Sequence, residues 1–251
     1  MRALSLWLLA TLAFAPLARA EWEIVSQTAE RAAIAGAEHR RIVLRETTSD
    51  ARATLHLAVF STQTATLRVL DDAEADDSLG AVMQREKCIA GVNGGYFDPN
   101  HAPIGLLVSD GRTLAPLRKA KLLSGVVSVV NGRVQIQRAA AFPAKTKPTQ
   151  ARQCGPFLVE SRRAIAGLNA TKSARRTFVA TLSGERAALG YCSHVTLAQL
   201  AALLTIRELN IERALNLDGG SSSGFWFAGE NGLFSIREQK TVRDYIGVVP
   251  K

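Results

Sequence analysis

Two short clusters hold most of the side chains that could do chemistry. Residues 216–224 read NLDGGSSSG after an apolar run, and residues 93–98 read NGGYFD after another. In each, a strand is predicted to end in an Asx residue followed by paired glycines. Glycine tolerates positive φ, so such a turn can bring backbone amides and small hydroxyls against a bound anion or sugar. Asp218 has no other carboxylate for several positions on either side and is the candidate for stabilising a cationic centre or activating water. Asn93 would supply an amide side chain, Gly94 and Gly95 close backbone approach, and Asn216, Gly219, Gly220, Ser221 and Ser222 the opposite wall. Asp98, after two aromatics and before Pro99, either assists as a second acid or starts a turn, and the turn is the stronger reading. The same Asn-Gly and Asp-Gly pairs also fit plain β-turns between strands.

Four segments in order carry a family resemblance: GVNGGYFDPNHAPIGLLVSDGR (91–112), QCGPFLVE (153–160), ARRTFVATL (174–182) and ALNLDGGSSSGF (214–225). Together with the closing YIGVVP they resemble the motifs of the phosphodiester glycosidase family over most of the chain beyond residue 88. The resemblance implies cleavage of the anomeric bond between a sugar and a phosphodiester, with release of sugar and phosphomonoester. It also implies Asp218, Asn93 and Arg176 as the catalytic group, and Tyr96 and Gly155 among the substrate-binding residues. Arg176 matches the Arg-Thr of the family motif and is read as the phosphate clamp, with Arg175 as a solvated neighbour. Two positions depart from the pattern. Ser221 stands where the family usually has a further Gly, and the stretch after Thr177 lacks the usual small hydrophobic-Gly pattern.

The chemistry is consistent on its own terms. An ordinary glycosidase pairs two carboxylates because one must protonate a poor alkoxide leaving group. A phosphomonoester, with a second pKa of about 6, leaves at neutral pH without strong acid help. One carboxylate can then suffice, given an Arg to hold the phosphate and neutral donors around the sugar.

The elements that must position these residues are mainly short β-type segments bounded by turn residues, at 54–60, 64–70, 126–130, 133–138 and 177–182. Asn131-Gly132 between two of them is a hairpin signal. Helix is predicted over 197–209, with a capping box from Thr196 and Gln199, and around 79–86. The stretch 139–152, with Pro143 and Pro148, is predicted to be an exposed loop. The fold class expected is α+β, a single strand-rich mixed domain with a few packed helices over residues 21–251.

Residues 1–20 read as a cleavable leader: Arg2, an apolar stretch over 3–17, then Ala18, Arg19, Ala20. The expected product is exported, periplasmic or secreted, without stable membrane insertion. Without the leader's two Arg, 29 basic face 22 acidic side chains, a charge of +7. That balance favours anionic partners, such as a sugar phosphate or an anionic envelope glycan, over nucleic acid. The Arg pairs 40/41, 162/163 and 175/176 form no long run, so solvated surface accounts for most of them. Cys88, Cys154 and Cys192 allow at most one disulfide. No cofactor and no obligatory metal are expected.

Two competing functions share the same residues. Gly220, Ser222 and Gly224 satisfy the G-x-S-x-G nucleophile elbow, but that turn needs a following helix, and Phe225, Trp226 and Phe227 look strand-like. All four His precede Ser222, so the hydrolase order Ser, acid, His cannot be built. The second alternative is a non-catalytic domain that binds a cell-envelope glycan in the same polar cleft.

Overall fold

A computed structural model describes residues 21–251 except 35, 75 and 144; the leader expected over 1–20 lies outside these residues. Three antiparallel sheets make up the molecule. The first runs, in spatial order, Trp22–Arg31, Ala37–Glu46, Arg52–Ser61, Arg186–Val195, Ala174–Leu182, Ile211–Asn216, Phe157–Glu160 and Arg163–Ala164. The second runs Arg112–Ala115, Leu107–Ser109, Gln150–Cys154, Gly125–Val130 and Arg133–Arg138. The third runs Gly232–Ile236, Phe225–Gly229, Ala90–Asn93, Asp244–Pro250 and Ala65–Asp71.

Strand side chains alternate between faces, and the central strands of the large sheet are covered on both. Ala58 and Phe60 point into a core shared by all three sheets, with Val127 and Ile136 from the second and Phe225, Phe227 and Ile246 from the third. Their neighbours Leu57 and Val59 face the other way, onto a layer completed by Leu200 and Leu203 of the helix Leu197–Leu203. That helix begins where the sequence places it, because Thr196 accepts from the Gln199 amide while the Gln199 side chain accepts from the Thr196 amide. It stops at Leu203, and a separate 3-10 turn follows at Arg207–Leu209. The second helix, Leu79–Arg85, lays Leu79, Val82 and Met83 on Trp226 and Tyr245 of the third sheet.

The architecture is therefore strand-rich as expected, but mostly β rather than α+β, with two short α-helices packed on the sheets among the described residues. The Asn131-Gly132 hairpin forms, with both residues at positive φ. Of the stretch expected as an exposed loop over 139–152, Ala139–Ala141 form a 3-10 turn, the described residues of 142–149 are loop, and the last three residues enter a strand. Gln150–Cys154 is a wholly buried strand at the centre of the second sheet. The charged and amide residues of that strand hide it from a reading based on apolar alternation. Cys88, Cys154 and Cys192 are all buried free thiols; burial pushes each up to about 12, which leaves them un-ionised and unsuited to nucleophilic work.

Candidate active site

The two glycine-bearing corners, more than a hundred residues apart in the chain, meet. Strand Ala90–Asn93 ends at Asn93, and Ile211–Asn216 ends two residues before Asp218. The Asn93 side chain donates through Nδ2 to the Asp218 carbonyl at 2.7 Å, and the Asp218 amide donates to the Gly94 carbonyl at 3.1 Å. Thr177, from the middle of Ala174–Leu182, sets its hydroxyl 2.8 Å from both Asn93 Oδ1 and the Asp218 carbonyl. Asn93 Oδ1 also accepts from the Gly224 amide at 3.2 Å. Asn93 is 1 % exposed and fully engaged inside the protein, so it joins the corners rather than offering its amide to a ligand, as the sequence had suggested.

The first corner is held from below by a buried ion pair. Arg152 and Asp244 are both fully buried, with a shortest N–O distance of 3.0 Å. Every nitrogen of the guanidinium has a partner: Nε on the carboxylate, Nη1 on the Ile104 and Gln153 carbonyls, Nη2 on the carboxylate and the Tyr96 carbonyl. Asp244 in turn takes the Gly94 amide on its carbonyl at 2.7 Å and the Gly95 amide on its carboxylate at 3.2 Å. Burial pushes the Asp244 carboxyl up, and the guanidinium beside it opposes that shift.

This arrangement corrects the reason for the first glycine pair. Neither Gly94 nor Gly95 has positive φ. A Cβ on Gly94 would stand 1.7 Å from Asp244 Oδ1, and one on Gly95 2.5 Å from the Arg152 guanidinium. They are glycine because the ion pair occupies their side-chain space, and their amides face inward, away from any ligand. In the second corner, conformation does decide: Gly220 sits at φ +67° and starts a 3-10 turn over Gly220–Ser222.

Several groups remain free at the junction. The Asp218 carboxylate accepts one amide, from Gly219 at 2.9 Å, and forms no ion pair among the described residues. Burial pushes its pKa above the usual carboxylate range; the nearby Ser222 hydroxyl, Lys240 ammonium and Gly219 amide pull it down, and Asp244 pushes it up again. The Ser222 hydroxyl makes no hydrogen bond of good geometry despite that proximity, and Ser223 Oγ, Asn216 Oδ1 and Arg175 Nε are likewise buried without partners. Ser221 is exposed. Lys240 lies over the Phe97 ring, 4.7 Å from its centroid.

Arg176 is 8 % exposed and has no carboxylate partner among the described residues. Its guanidinium donates to the Lys172 carbonyl at 2.7 Å and the Val195 carbonyl at 3.2 Å, while Nη1 lies 3.5 Å from where a Gly219 side chain would begin. Burial lowers its pKa, so an anion at the Gly219 turn would relieve it. Arg175 is not the solvated neighbour expected. It is buried, donates to the Ser223 and Arg237 carbonyls, and lies over the Tyr191 ring at 5.5 Å.

The remaining candidates brace the site. Tyr96 donates to the Gly155 carbonyl at 2.6 Å, and Asn216 Nδ2 reaches the same carbonyl at 2.9 Å. Asp98 accepts from the Asn100 and Ala102 amides, which is its turn role. After Ser222 the chain enters strand Phe225–Gly229, which removes the nucleophile elbow. Clefts such as the one lined by Arg31, Phe60 and Glu230 lie away from Asp218 and bring no such set of groups together.

A family model for phosphodiester glycosidase matches residues 86–249. The chain belongs to the phosphodiester glycosidase family. Its fold resembles the catalytic domain of zebrafish N-acetylglucosamine-1-phosphodiester alpha-N-acetylglucosaminidase auto-inhibited by its pro-peptide, with TM-score 0.68 and 15% identity over 90% of this chain and 89% of that one. A hypothetical protein from Synechocystis superposes with TM-score 0.62 and 15% identity, covering 86% of this chain and 62% of that chain. A Burkholderia pseudomallei protein does so with TM-score 0.57 and 13% identity over 82% and 77%. No curated protein sequence matches the chain.

Within this phosphodiester glycosidase fold, sequence reasoning missed Arg152, Asp244, Thr177 and Lys240. A lone Arg flanked by Gln in QARQC and a lone Asp opening the final apolar strand are both charges inside buried strands, and each is the signal for the other. Removing one partner leaves an uncompensated buried charge, at a cost of about 3–5 kcal/mol. Urea unfolding is expected to show a loss of that size for Arg152→Met or Asp244→Leu alone, and a smaller loss for the double variant. A double-variant loss equal to the sum of the two single losses would mean that the pair's charge complementarity contributes nothing.

Proposed function

We propose that the chain is an exported hydrolase that cleaves the anomeric bond between a sugar and a phosphodiester, releasing the sugar and a phosphomonoester. The observation that carries this reading is the pairing of an unpaired carboxylate, Asp218, with an uncompensated buried guanidinium, Arg176, on either side of the Gly219 turn. Asp218 stabilises the oxocarbenium-like centre or activates water. Arg176 holds the phosphate, which departs without a strong acid because its second pKa is about 6. Ser221 and Ser222 are the neutral donors on the same wall, and Lys240 adds positive charge where the leaving group develops negative charge. Asn93, Thr177 and Asn216 act one step back, by fixing the backbone that carries Asp218. Export rests on the leader-like residues 1–20.

The Asp218 carboxylate forms one local hydrogen bond and holds no other segment, so Asp218→Asn should fold normally. Its turnover of a glycosyl phosphodiester is expected to fall by on the order of a hundredfold or more. Unchanged turnover would remove Asp218 from the mechanism. The raised pKa gives this variant a pH signature. The folded state favours the neutral acid, so stability is fully present below the unfolded pKa and lost as pH rises through the folded value. Relative to wild type, Asp218→Asn should therefore gain stability as pH rises from the ordinary carboxylate range towards neutrality, and thermal unfolding across that range reads the difference. The activity of the wild type should fall as pH drops through the same raised pKa.

Arg176→Lys keeps the charge but loses the planar fork. Losing one charge-assisted hydrogen bond, worth about 1.5–3 kcal/mol, should raise KM on the order of tenfold or more. An unchanged KM would exclude the clamp.

A further inference from the structure

The net positive charge of residues 21–251 comes from one segment of the chain. Residues 111–159 contain no Asp or Glu and nine Arg or Lys; the rest of the chain from residue 21 carries 20 basic against 22 acidic side chains, a charge of −2. The whole excess belongs to one 49-residue stretch, and that stretch supplies four of the five strands of the second sheet. Two of the nine are neutralised, Arg152 by Asp244 and Arg138 by Glu160. The other seven are exposed and form no ion pair among the described residues.

Their densest cluster is the loop 116–124. Arg118, Lys119 and Lys121 line one groove with Phe142, and Lys121 and Leu122 line an adjoining one with Phe157; neither groove has a carboxylate in its lining. Leu117 and Leu122 stand 39% and 53% exposed beside the cations. The loop is rigidly placed. Gln153 exchanges hydrogen bonds with the Arg118 amide and carbonyl and with the Leu123 carbonyl. It also abuts the candidate active site, since a Cβ on Gly155 would stand 2.1 Å from the Leu122 carbonyl, and the Gly155 carbonyl is the one that Tyr96 and Asn216 grip.

We infer that this loop and the sheet behind it form an extended binding surface for a polyanionic polymer that carries phosphate at regular intervals, leading to the Asp218 corner. Three exposed, unpaired cations within residues 118–121, beside grooves whose linings hold no carboxylate and with four more on the same segment, fit a repeating anion better than a single phosphate, which Arg176 alone can hold. The exposed leucines would cover the apolar faces of the units between the phosphates. Cleavage of such a polymer at its glycosyl end rests on the function proposed above; its binding does not.

The test uses the chain without its first 20 residues and long-chain inorganic polyphosphate as the probe, followed by titration calorimetry. Binding is expected at low salt and should weaken steeply as salt rises. The variant Arg118→Glu/Lys119→Glu/Lys121→Glu should lose roughly tenfold or more in affinity, the scale for removing about three counterion-releasing contacts. Its turnover of a small soluble glycosyl phosphodiester should be unchanged. The Gln triple variant, which keeps side-chain volume, should show an intermediate loss and covers the case in which charge reversal prevents folding. Equal polyphosphate affinity in wild type and the Gln variant would overturn the inference, as would binding to phosphatidylglycerol vesicles with none to polyphosphate. Polyphosphate binding that persists while neither wild type nor variants cleave the small substrate would sink the proposed function and leave this surface standing.

Discussion

The Arg152–Asp244 pair is the constraint on which the site depends. One guanidinium, sealed from water, ties a central strand of the second sheet to the last strand of the third and to the carbonyls of Tyr96 and Ile104. Asp244 then fixes the amides of Gly94 and Gly95. An apolar pair of similar volume could fill the space and stabilise as well or better. It could not hold four separate segments of backbone in one geometry, because dispersion has no direction. The path of the chain through 93–96 is thus set by charge and hydrogen bonding, and the glycines follow from it.

On that fixed corner the second one is hung. Asn93 and Thr177 both bond the Asp218 carbonyl and the Gly94 carbonyl takes the Asp218 amide, so the Asp218 backbone is fixed while its carboxylate is left with a single local partner. Burial then raises the carboxyl's pKa without a cation to lower it fully. Arg176 shows the mirror condition, a buried cation held only by carbonyls. Two such groups beside one turn destabilise the folded state, and under the proposed function a ligand with a positive anomeric centre and a negative phosphate would compensate both. Imperfect local stability at a place where the rest of the structure is rigid is a frequent sign of a working site.

Much of this was legible in the sequence, and the misses have physical causes. Strand Arg133–Arg138, the hairpin at Asn131-Gly132 and the Thr196/Gln199 capping box stand where local patterning put them, because each depends on contacts within a few residues. The ends of Ala90–Asn93 and Ile211–Asn216 were marked by Asx-Gly pairs. Their meeting was expected from motif order, and no local rule could give it. Residues 150–152, the start of strand Gln150–Cys154, look like loop in the sequence because the strand's interior is polar and satisfied by distant partners. For the same reason Arg175, adjacent to Arg176, looks like a surface residue in the sequence although its carbonyl partners lie at Ser223 and Arg237. The segregation of basic charge over 111–159 is marked by no long run; its signal is the absence of acids.

The central claim is that both corners and Arg176 form one site for a glycosyl phosphate. A crystal of the chain from residue 21, soaked with a sugar 1-phosphate, tests it most directly. The account requires the phosphate within hydrogen-bonding distance of Arg176 and the anomeric carbon facing the Asp218 carboxylate. A sugar phosphate bound with neither residue in contact, at saturating occupancy, would contradict it.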